Sequence, residues 1–189
     1  MKFRKLKIKK GFTLIEVIIA MGIFSIASVV ISSVYLNASN LHQHTVNFQR
    51  LQNEGRYMME KMVREIRARE IDYTAIDPAE SQNYIKFIGD EFGSVVEMIW
   101  DGSNISYSVT TPSTGALSAN LNADDIEVVD LKFYIIPDAE NTWGSDPDPI
   151  INIQPRVIIF LKLKNKSINP NFQKEILLQT TVSSKVYKR

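Results

Sequence analysis

The sequence predicts an α+β chain: one long N-terminal helix, its first half apolar enough to span a membrane, packed on an antiparallel β-sheet. Three observations predict it. Six cations (Lys2, Arg4, Lys5, Lys7, Lys9, Lys10) precede Gly11, and Phe12 to Leu36 then runs 25 residues with Glu16 as its only charge. An apolar stripe at steps of three and four continues after that run, and about six short alternating segments follow, with no second strong helix pattern.

The first segment, 12–36, is long enough to cross a bilayer as a helix, roughly 37 Å at about 1.5 Å per residue. The cationic leader places its own end on the cytoplasmic side. Glu16 is the anomaly: an ionised carboxylate within hydrocarbon costs about 2.5–3.5 kcal/mol and needs a cationic partner. Gly22, Ser25, Ser28, Ser32 and Ser33 are small enough for close helix packing and are equally ordinary in a membrane helix.

The second segment, 37–71, turns polar at Asn37, Ser39, Asn40, His42, Gln43 and His44, yet no proline interrupts it before Pro78. Leu51, Gly55, Met58, Met59, Met62, Val63 and Ile66 share one stripe, while Arg56, Glu60, Lys61, Arg64 and Arg67 take the other faces. The expected result is one helix from Phe12 to about Ile71, roughly 90 Å long. Glu60 and Arg64 are spaced as a favourable i,i+4 pair, and Gly55 within the stripe implies close approach of the sheet. The methionine cluster reads as core packing.

The remainder, 72–189, reads as a β-rich head. Asp72, Asp77, Pro78 and Ser81 mark a loop. Tyr84 to Ile88, Val95 to Trp100 and Ile105 to Thr110 are strands, the last two flanking the turn Asp101-Gly102-Ser103-Asn104. Residues 111–122 are rich in Ser, Thr and Gly and read as a loop. Ile126 to Ile136 is a long strand whose alternation slips near Asp130, as at a bulge. Val157 to Lys164 and Glu175 to Ser183, joined by a turn at Asn169-Pro170-Asn171, form an antiparallel hairpin that closes the sheet.

Composition narrows the chemistry. The formal charge of the 189 residues is +1, but without the six leader cations 16 remain against 21 acids, a net of −5. A mildly acidic protein is not a broad binder of nucleic acid or anionic membrane. With no cysteine, thiolate zinc is excluded. No nucleophile, metal or phosphate-loop signature occurs, so an enzyme is not expected. His42 and His44, two apart on a helix, point to nearly opposite sides and read as solvated surface. Asp138, Glu140, Asp146 and Asp148 read first as a solvated acidic loop. They are also hard oxygen ligands on a flexible segment, which suit Ca²⁺, though without a defined calcium-loop spacing. Trp143 in that loop is a candidate contact for a partner subunit. Lys162, Lys164, Lys166 and Lys174 form a basic edge that keeps a DNA contact in view.

The stretch Lys9-Lys10-Gly11-Phe12-Thr13-Leu14-Ile15-Glu16-Val17 resembles the prepilin cleavage and methylation motif of type IV pilins and type II secretion pseudopilins, from Lys9 to about Ala38. The resemblance implies a pilin-like fold, a leader 1–11 removed by prepilin peptidase between Gly11 and Phe12, and N-methylation of Phe12. It implies that Glu16 serves assembly by meeting the amine of a neighbouring subunit. The implied partners are other minor and major subunits, the peptidase, an inner-membrane assembly platform and its ATPase, and membrane lipid. The implied place is the bacterial cytoplasmic membrane, single-pass with the head outside the cytoplasm, and then a pilus or pseudopilus. The long helix, β-rich body and last strand Leu177-Leu178-Gln179-Thr180-Thr181-Val182 are similar to J-type minor pseudopilins and W-type minor pilins, though the Arg-Asn pair usual after this strand is absent. That implies a structural subunit at the tip or in initiation of a fibre.

The alternatives are a secretory signal peptide cut before Ser28, an uncleaved anchor, a membrane-tethered binding module, and a competence subunit aiding DNA uptake. The first leaves Glu16 without purpose inside the apolar region; the second leaves it an unexplained cost.

Overall fold

The computed structural model describes residues 11–75, 82–89, 93–136, 154–167, 170 and 173–184. The chain divides into two compact units, Met1–Thr45 and Val46–Arg189. A single helix, α1 (Leu14–Ala68), runs through the division, within two or three residues of the expected ends.

In the first unit, described from Gly11, α1 is the only regular element. Its apolar residues are exposed, Phe24 at 73% and Ile26 at 71%, as is Phe12 just before it at 82%. A helix this long and apolar can cross a membrane. Ser25 Oγ donates to the Met21 carbonyl at 2.8 Å and Ser28 Oγ to that of Phe24 at 2.8 Å, so these hydroxyls enter hydrocarbon already satisfied. A Cβ added at Gly22 would meet nothing within 4 Å.

In the second unit, α1 lays Leu51, Gly55, Met58, Met59, Met62 and Ile66 into the core, which is the predicted stripe with Val63 at its edge. Among the described residues seven strands follow: β1 (Tyr84–Phe87), β2 (Val95–Trp100), β3 (Ile105–Thr111), β4 (Gly115–Asn120), β5 (Ile126–Ile136), β6 (Arg156–Asn165) and β7 (Glu175–Ser183). All pairings are antiparallel, in two sheets rather than one, ordered β1-β2-β3-β4 and β5-β6-β7. The chain does not carry β4 on into β5. Instead Gln82 and Phe133 exchange backbone bonds, Gln82 N–H to Phe133 O at 3.0 Å and Phe133 N–H to Gln82 O at 2.8 Å. Val128 N–H donates to Ser103 O at 2.8 Å, and Trp100 Nε1 to Val128 O at 3.0 Å. The sheets therefore meet along β5 and the β1–β2 side.

The predicted bulge lies between Val128 and Asp130. Val128 and Leu131 are both buried although three apart, because the extra residue returns the alternation to the core face. The turn after β2 also holds: Asp101 Oδ1 accepts the amides of Ser103 at 2.8 Å and Asn104 at 2.6 Å, and Gly102 takes φ +101°. The backbone bond from Asn104, then that from Ser103, holds the Asp101 carboxyl below its ordinary range.

The loop expected over 111–122 is corrected to strand β4, paired with β3 from Ser106↔Asn120 to Thr111↔Gly115. All six of its residues are exposed. A strand buried on neither face has no alternation to betray it, so only the ladder defines it. The ion pairs also differ from expectation. Lys61–Glu65 and Arg69–Glu65 form, both at 3.0 Å, with Glu65 buried; Glu60 and Arg64, both exposed, form no ion pair with each other.

Gly55 confirms the close approach. A Cβ there would lie 2.5 Å from Leu178 Cδ1, 3.0 Å from Leu163 Cδ1 and 3.3 Å from Ile176 Cδ1. Gly55→Leu is expected to destabilise the head by about 1–3 kcal/mol through overpacking. A thermal melt should show it as a midpoint lowered by roughly 2–4 °C per kcal/mol.

Candidate functional site

Gly11, Phe12 and Thr13 precede the first helical residue, Leu14, and are exposed. The peptide bond between Gly11 and Phe12 thus joins two exposed, non-helical residues. A Cβ at Gly11 would meet nothing within 4 Å.

Thr13 and Glu16 close the helix start reciprocally. Glu16 N–H donates to Thr13 Oγ1 at 3.3 Å, Thr13 N–H lies 3.5 Å from Glu16 Oε2, and Val17 N–H donates to Thr13 O at 3.2 Å. This is a capping box with Thr13 as N-cap and Glu16 as the third helical residue. Glu16 therefore reaches back to the positive end of the helix dipole, beside the segment that holds Phe12. Sequence reasoning missed the role of Thr13, although a threonine three residues before a glutamate at the opening of an apolar run is its signal. Thr13→Val is expected to cost the first turn about 0.5–2 kcal/mol. Faster amide exchange at residues 14–17 in detergent micelles, with the rest of α1 unchanged, would report it.

The head holds one buried charged side chain among the described residues, Glu65, at 7% exposure. It accepts from Lys61 Nζ at 3.0 Å, Arg69 Nε at 3.0 Å and Tyr107 Oη at 3.1 Å. Lys61 Nζ sits 4.4 Å from the Tyr107 ring centroid, and Arg69 Nη1 donates to the Ser94 carbonyl at 3.2 Å. This knot binds the last turns of α1 to β3 and the start of β2. Burial pushes the Glu65 carboxyl up, but the bonds from Lys61 and Arg69 outweigh it and leave the group below its ordinary range. Nothing in the sequence marks Glu65 except cations four residues to either side.

The other candidates do not converge. His42 is exposed and His44 half-buried on α1, and among the described residues no three His, Cys, Asp or Glu side chains stand together as a metal site. Lys162 is paired with Glu175 at 2.9 Å. That hydrogen bond, with Lys164 contributing less, lowers the Glu175 carboxyl below its ordinary range. The basic edge is thus partly neutralised. The calcium candidates Asp138, Glu140, Asp146 and Asp148, together with Trp143, lie outside the described residues, as do leader residues 1–10.

A family model described as the prokaryotic N-terminal methylation motif matches residues 6–32, which brackets Gly11, Phe12, Thr13 and Glu16. No curated protein and no solved structure matches the chain.

Proposed function

We propose, from the premise that residues 6–32 carry the methylation motif of a prepilin peptidase substrate of the type IV pilin or pseudopilin kind, that this chain is a minor subunit acting at the tip or in the initiation of a fibre. The observation that carries the reading is the start of α1. There the motif, an exposed scissile bond and an acid held at the helix terminus stand at the head of a helix whose apolar residues are exposed.

The leader stays cytoplasmic and α1 anchors the protein in the membrane. Cleavage between Gly11 and Phe12 creates an ammonium at Phe12, which the same machinery methylates. In the fibre, Glu16 of one subunit accepts the Phe12 amine of the next, so that two ions lipid cannot solvate satisfy each other. Docking of the apolar helices covers the residues left exposed in the isolated chain, and added subunits lift the head away from the membrane. The partners are other pilin or pseudopilin subunits, the peptidase and an inner-membrane assembly platform.

The test is the intact mass and N-terminal sequence of the protein taken from its native membrane. A start at methylated Phe12 is expected. A start at Met1 or at Ser28 would overturn the reading in favour of an uncleaved anchor or a secreted domain.

A further inference from the structure

Along the head, the side of α1 turned away from the core carries Arg56, Tyr57, Glu60, Arg64 and Arg67, all exposed. Steps of three and four put the four charged residues on one line. Arg56 and Arg64 stand about 12 Å apart along the helix axis, and Arg67 about 4.5 Å further.

Among the described residues six other cations of the head each meet an acid: Arg50 with Asp125, Lys61 and Arg69 with Glu65, Lys86 with Glu97, Lys132 with Asp130, and Lys162 with Glu175. Arg56, Glu60, Arg64 and Arg67 differ: among the described residues they make no ion pair and no side-chain hydrogen bond. Glu60 lies four residues from both Arg56 and Arg64, yet pairs with neither. The cationic excess is also local. Without the leader the chain carries 16 cations against 21 acids, and setting aside the three arginines and Glu60 leaves 13 against 20. A cationic face on an otherwise acidic chain attracts an anionic partner there and repels it elsewhere, which fixes where it docks.

The residue types narrow the partner. Guanidinium forks bind planar carboxylates through two parallel bonds. Glu60, set between the arginines, opposes a continuous polyanion such as nucleic acid and favours a surface that mixes acids with a base. Tyr57 is 54% exposed, and an open depression of about 540 Å³ lined by Glu60, Val63, Arg64, Arg67 and Ala68 adds apolar contact. Arg and Tyr are enriched where protein partners meet.

We propose that this face of α1 docks a subunit of different sequence, which presents two or more carboxylates set around one cation. Pairing the face with itself in a second copy would set arginines against arginines. The proposal rests on the reading of the chain as a minor subunit, whose neighbours are other subunits.

The test uses the full-length protein in its native membrane. Arg64→Lys and Arg67→Lys, made singly, keep the charge and supply a primary amine that a water-soluble carbodiimide joins to a carboxylate. The carboxylate gives up an oxygen to the carbodiimide, which leaves as a urea, and the amine nitrogen loses a proton as the amide forms. Relative to the native chain, each variant is expected to gain a cross-link that mass spectrometry places between the substituted position and an Asp or Glu of a different polypeptide, itself starting at a methylated residue. High salt should weaken it. Arg64→Glu combined with Arg67→Glu should lower the level of this chain in sheared fibres about tenfold or more, because like charges then face each other. Its thermal midpoint should stay within a few degrees of native, since neither arginine has a bond to lose. A cross-link to another copy of this chain, native fibre levels for the charge-reversed variant, or no new cross-link in protein that begins at Phe12 and sediments with fibres would each overturn the contact and leave the processing reading standing. Retardation of a single-stranded oligonucleotide by the purified chain, lost on charge reversal, would overturn it in favour of nucleic acid. A start at Met1 would instead remove the fibre premise, and the proposal with it.

Discussion

Glu16→Ala is expected to be cut after Gly11 as the native chain is, yet to be nearly lost from fibres. In the assembly proposed above, the variant leaves the Phe12 ammonium without its anion in an apolar surrounding. A charge unpaired in hydrocarbon costs about 2.5–3.5 kcal/mol, which corresponds to roughly a hundredfold at about 1.4 kcal/mol per factor of ten. Thr13 keeps its hydroxyl in this variant but loses the carboxylate near its amide, so the helix start weakens only slightly. Immunoblots of sheared fibre and membrane fractions, with N-terminal sequencing of both, separate the effects. Glu16→Asp keeps the charge on a shorter arm and should fall between the two. Fibres containing Glu16→Ala at native levels would show that the carboxylate serves the capping box alone.

Glu65→Ala is expected to cost the head about 3–5 kcal/mol, the usual penalty for breaking a buried pair by removing one partner. Lys61, Arg69 and Tyr107 would all lose an acceptor at about 3 Å. Tyr107→Phe removes a single bond to a charged group and should cost about 1.5–3 kcal/mol at most. The same knot predicts a pH dependence. The folded carboxyl sits below its unfolded value, near 4.3 for a free glutamate. Between the two values the unfolded chain binds more protons, so the contribution is full above about pH 4.3 and is lost as pH falls through the folded pKa. Urea midpoints measured from pH 7 to pH 3 should fall more steeply for the native head than for Glu65→Gln. Equal slopes would place the acid sensitivity elsewhere.

Much of this protein was legible without coordinates. The membrane helix follows from an uninterrupted apolar run, and the amphipathic half from a stripe at three and four. Six strands follow from β-rich, alternating runs, because a strand with one face toward the core repeats every second residue. The bulge near Asp130 was legible for the same reason: the alternation slips by one where the strand inserts a residue. β4 was not legible, since a strand with both faces in solvent obeys no pattern. Glu65 was not legible either. Its position on the helix places it among the core residues, and only Tyr107, 42 residues away in sequence, makes a charge tolerable there.

The sequence by itself determined the start of α1, its apolar half and the strand periods, because those depend on neighbours within a few residues along the chain. The tertiary structure alone decided that the strands divide into two sheets, that Gln82 bonds along β5 and residues 70–72 along β1, and that Glu65 is held by three donors. Those outcomes depend on groups far apart in sequence, brought together by the burial of one shared core, and no local pattern encodes such distances.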